Sequence, residues 1–71
     1  MAFTSWDVEE MFTYHAPKPG QQERYQAIRD KAKELALVIV DNTPSSADQS
    51  AAIRHLRECV MTANASIALE K

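Results

Sequence analysis

Asp41-Asn42-Thr43-Pro44-Ser45-Ser46 is a run of turn formers between two stretches that carry the same apolar pattern. Tyr25, Ile28, Ala32, Leu35 and Ile39 precede it, and Ile53, Leu56, Val60, Ala63 and Ile67 follow it. Both sets step by three, four, three and four residues, the spacing that lays side chains along one seam of a helix. A connection this short can only carry the second helix back along the first. The expected fold is therefore all-α, an antiparallel helical hairpin.

Local signals set the expected boundaries. Ser45 or Ser46 caps the second long helix, with Asp48 or Gln49 reaching back as its third residue, so that helix is expected over about residues 46–69. The first long helix is expected over about 20–41, with Pro19 able to open it. A short N-terminal helix over about 4–12 precedes the hairpin, capped by Thr4 or Ser5, with Asp7, Glu9 and Glu10 near its positive end. Residues 1–71 read as a single domain without internal repeats. Trp6, Met11 and Phe12 are too apolar to stay in water and need a surface, on the hairpin or on a neighbouring subunit.

The chain has only 71 residues, and ordering each one costs about 1.5 kcal/mol. A single small core needs a supplement. Disulfides cannot supply it, because Cys59 is the only cysteine; it reads as a small apolar residue packed within its helix. His15, His55 and Cys59 follow no metal-ligand spacing, so neither a metal nor a cofactor is expected. Oligomerisation remains. Leu35-Ala36-Leu37-Val38-Ile39-Val40 is apolar on every side of its helix, more than one partner helix covers. A net charge of −2 with interspersed signs argues against DNA or RNA binding. No apolar run is long enough to span a membrane, and the N-terminus lacks the pattern of a signal peptide. A cytoplasmic location is expected.

No catalytic constellation is present, so an enzyme is not expected, and the sole glycine, Gly20, excludes a glycine-rich phosphate loop. The arginines are more informative. Arg24, Arg29 and Arg57 have no acid three or four residues away, whereas Arg54 has Glu58. A guanidinium without a carboxylate beside an apolar seam suits a phosphate, although surface arginines are commonly solvated or paired across helices. Tyr14, His15 and Lys18 lie in or beside the rigid loop His15-Ala16-Pro17-Lys18-Pro19-Gly20, off either helix stripe, and are candidate nucleotide-binding residues, the two rings for stacking on a base. Tyr25 begins the seam and reads as core.

Phe12-x-Tyr14-His15-x-Pro17, Gln21-x-x-Arg24-Tyr25-x-x-Ile28-Arg29-x-x-Ala32-x-x-Leu35-Ala36, Pro44-Ser45 and Val60-Met61-x-Ala63-Asn64-Ala65-x-Ile67-Ala68 together resemble the phage anti-CBASS cyclic oligonucleotide sponges. That family shares its hairpin with anti-Thoeris sponges. The resemblance covers Phe12 to Leu69 and implies a compact homo-oligomer, typically a hexamer, in the cytoplasm of an infected bacterial host. It implies capture of cyclic dinucleotides between protomers without cleavage, and in some members of cyclic trinucleotides at separate sites. Tyr14 and Arg29 match the dinucleotide contacts, and Arg54, with Arg57 second, the trinucleotide contact. Thr62 stands where many such hairpins carry a large aromatic. The competing reading is a helical protein–protein interaction and oligomerisation module without a nucleotide ligand.

Overall fold

A computed structural model describes residues 3–70, which form three helices and, among the described residues, no strand. These are α1 (Ser5–Phe12), α2 (Gln21–Asn42) and α3 (Ala47–Ala68). Helix α1 starts in a capping box: Thr4 Oγ1 accepts from the Asp7 amide at 3.1 Å, and the Thr4 amide donates to Asp7 Oδ2 at 2.9 Å. Ser46 caps α3 by accepting from the Gln49 amide at 3.1 Å.

The Gln49 side chain does not complete a second capping box. Its Nε2 instead donates to the Thr43 carbonyl at 3.1 Å and to Thr43 Oγ1 at 3.0 Å. The connection is thereby tied to the end of α2, where Asn42 Nδ2 and Thr43 Oγ1 also satisfy the exposed carbonyls of Val38 and Ile39.

Pro19 stays outside α2. Gly20 is the N-cap, with φ of 85°, a left-handed conformation that glycine adopts without the penalty a Cβ carries. Gln21 is thus the first helical residue, and its amide donates to the Lys18 carbonyl at 3.1 Å.

Helices α2 and α3 pack along each other, whereas α1 packs on neither. Most of the seam is half-buried, and Ile67 is the one buried apolar residue among those described. Leu35 departs from the expected stripe: it is 48 % exposed, and half-buried Ala36 holds the inward position. The reason is geometric, because a strict heptad drifts about 20° per repeat around a straight α-helix. Cys59 also departs from expectation and is exposed rather than packed.

Large apolar side chains remain uncovered at both ends of the molecule. Trp6, Met11 and Phe12 on α1 are exposed, as are Leu37, Val38 and Val40 on the distal half of α2. The hairpin gives α1 no docking surface, and α3 covers only one side of the apolar α2 segment.

Candidate functional site

The crossing of α2 and α3 creates an open groove of about 320 Å³ on one flank of the hairpin. Its floor is apolar, with Ala32 and Ala36 from α2 and Leu56 and Val60 from α3. Small alanines on α2 leave the depression that a larger residue would fill. Arg29 and Lys33 approach from α2, one turn apart, and Arg57 approaches from α3. Three cations thus surround a surface that water solvates poorly.

These cations are free to accept a partner. Arg29 Nη1 donates to Gln26 Oε1 at 2.7 Å, and Gln26 Nε2 donates in turn to Asp30 Oδ1 at 2.7 Å. A neutral amide therefore stands between Arg29 and the nearest acid of its network, and most of the guanidinium's five donors stay unused. Lys33 and Arg57 have no hydrogen-bond or ion-pair partner among the described residues. An anion with a flat apolar body fits this combination, since the fork takes a phosphate while the floor covers a ring.

Arg29 and Arg57 stand out in the sequence for lacking a nearby acid, whereas Lys33 does not. The four-residue spacing of Arg29 and Lys33 was the available signal, as it puts both cations on one helix face. Arg54 does not line the groove. It lies three residues before Arg57, about 60° further round α3, and is exposed. The expected Arg54–Glu58 pairing is absent among the described contacts: Glu58 Oε2 lies 3.8 Å from His55 Nδ1 instead.

The loop candidates have distinct surroundings. Tyr14 is 83 % exposed. His15 is half-buried, and its Nε2–H donates to the Glu10 carbonyl at 2.8 Å, with Glu10 Oε2 at 3.9 Å. That ring is committed to holding the loop against the end of α1. Lys18 Nζ donates to the Glu70 carbonyl at 3.2 Å, beyond the end of α3.

Arg24 is the exception to the acid-free reading, because Nη1 donates to Glu70 Oε1 across the hairpin. The hydrogen bond from Arg24, with a second from Gln21, holds the Glu70 carboxyl below the usual carboxylate range, and the same contact raises Arg24. A carboxylate with a depressed folded pKa contributes stability that is complete above its unfolded pKa and is lost as pH falls through the folded value. The melting temperature of Glu70→Gln is therefore expected to lie below that of the parent at neutral pH. The gap is expected to close on acidification below the ordinary carboxylate range. A gap that persists unchanged in acid would show that Glu70 acts through something other than its charge.

Among the described residues no helix is long and apolar enough to cross a membrane, and no group of three His, Cys, Asp or Glu residues is placed to hold a metal ion. A family model described as Acb2/Tad1, hairpin domain, matches residues 7–68, from the first turn of α1 to the end of α3. No curated protein and no solved structure matches the chain.

Proposed function

The chain belongs to the Acb2/Tad1 hairpin family of anti-CBASS and anti-Thoeris sponges, and from that premise we propose that it sequesters cyclic di- or trinucleotide messengers without cleaving them. The family implies a sponge, a binding protein that acts on nucleotide signals of antiviral defence. The observation that carries the finer reading is the groove: Arg29, Lys33 and Arg57 stand unneutralised around an apolar floor. A cyclic nucleotide presents phosphates to such cations and base surface to such a floor.

One protomer leaves the groove open, and Tyr14 does not line it. Enclosure of a ligand with two bases and two phosphates then requires a second chain. In this reading the protein forms a homo-oligomer, in keeping with a hexamer, and Tyr14 stacks on a base held by Arg29. His15 and Lys18 fix the loop that presents Tyr14, Arg57 binds phosphate beside Arg29, and Arg54 serves a separate trinucleotide site. The ligand is held in the cytoplasm of a phage-infected bacterium, where a sponge competes with the signal's receptor. Rigid pockets shared between chains favour the required tight binding by limiting what must be ordered on capture.

Cyclic di-AMP, cyclic di-GMP, cyclic GMP–AMP and cyclic tri-AMP form a direct test. At least one is expected to raise the melting temperature at saturating concentration and to be recovered intact, by chromatography, after denaturation. No shift with any of them would overturn capture, and recovery of a linear product would identify a hydrolase.

A further inference from the structure

Gln21 is only 3 % exposed, yet it is polar, it opens a helix, and the candidate contacts include none of its atoms. Its amide group joins three parts of the chain. Oε1 accepts from the Lys18 amide at 2.8 Å, while Nε2 donates to the Ile67 carbonyl at 3.0 Å and to Glu70 Oε1 at 3.1 Å. Lys18 Nζ and Arg24 Nη1 also donate to Glu70, on its carbonyl and carboxylate respectively.

The loop before α2 is therefore held at both ends. His15 ties its beginning to Glu10 of α1, and Gln21 ties Lys18, at its end, to the last turn of α3. Pro17 and Pro19 restrict the backbone between these anchors. Tyr14 adjoins the first anchor, its ring in solvent. We propose that Gln21 is a positioning residue for nucleotide capture: by latching the loop to the C-terminal end of α3, it sets the orientation in which Tyr14 meets the base.

This inference rests on the nucleotide reading and extends it to a residue that contacts no ligand. Order in the loop before binding leaves less conformational entropy to lose on capture. Loss of the latch is thus expected to weaken binding through Tyr14 without removing any ligand contact.

Gln21→Met keeps the side chain's length and removes its hydrogen bonds. Calorimetry with the cyclic dinucleotide that stabilises the parent is expected to show about tenfold weaker binding by Gln21→Met, a loss of about 1.4 kcal/mol. Amides of residues 13–16 and 18 are expected to exchange faster with solvent. In a Tyr14→Ala background the same change is expected to have no further effect on affinity, since no ring remains to be placed. Glu70→Ala, which leaves the Gln21–Ile67 bond intact, provides a milder version and is expected to weaken binding about threefold. Equal loss from Gln21→Met in both Tyr14 backgrounds would overturn the latch and make Gln21 merely structural. Unchanged affinity in both Gln21→Met and Glu70→Ala would overturn it too. A parent chain that binds none of the cyclic nucleotides is a different result, overturning the nucleotide reading on which the inference rests.

Discussion

Arg29→Ala is expected to weaken cyclic dinucleotide binding by at least about a hundredfold while leaving helicity and oligomer mass unchanged. A hydrogen bond to a charged group contributes about 1.5–3 kcal/mol, and the proposed pocket, if shared by two protomers, would lose two guanidinium groups at once. The combined loss of about 3–6 kcal/mol corresponds to roughly 10²–10⁴ in affinity at 1.4 kcal/mol per tenfold. Folding is insulated because Arg29 is exposed and gives up only a bond to Gln26, itself on the surface. Arg29→Lys is expected to recover part of the affinity, as a point charge replaces a planar fork. Titration calorimetry with parallel native mass measurement reads both effects. Retained affinity in Arg29→Ala would remove the groove from the site, and a change of mass would make Arg29 an assembly residue.

The hairpin was legible because its signals are local and repeated. A turn-forming stretch, two apolar stripes and the caps at Thr4 and Ser46 each act within a few residues, and the structure contains them. Leu35 was misplaced because a heptad template presumes a supercoil, whereas these helices let the stripe move on to Ala36. Gln21 and Arg24 were opaque for a different reason. Their partners, Ile67 and Glu70, lie at the other end of the hairpin, and nothing in the spacing along one helix announces a contact made across two. The groove is likewise a product of the crossing. Arg29 and Arg57 attracted notice separately for lacking local acids, but only the fold puts them on one flank with Lys33 and leaves Arg54 apart. Tyr14 was legible as a loop residue off the stripes, and its exposure in the fold accords with that.

Leu37→Asp combined with Val38→Asp is expected to reduce the proposed homo-oligomer to monomers and, with it, to abolish nucleotide capture. In the isolated chain Leu37 is 56 % and Val38 55 % exposed, beside exposed Val40, on a segment that α3 covers from one side only. Apolar burial contributes about 25 cal/mol per Å², so a stable contact of about 800 Å² per partner is well served by this surface and by Trp6, Met11 and Phe12. A carboxylate buried in such an interface without a partner costs several kcal/mol, and each symmetric contact incurs that cost again. The substitutions remove no residue from the α2–α3 seam, so the helices of a protomer are expected to persist at low temperature, with a lower melting temperature that no longer depends on protein concentration. Ser50→Asp, an exposed polar position on α3, controls for added charge and is expected to leave mass and binding intact. Native mass spectrometry and ligand titration of the same samples separate the possible outcomes. Monomers that still capture the nucleotide would confine the site to one chain, and an assembly that survives both aspartates would place its interface elsewhere. Joint loss of mass and binding is expected, because a groove that is open in one protomer can enclose a ligand only when another chain completes it.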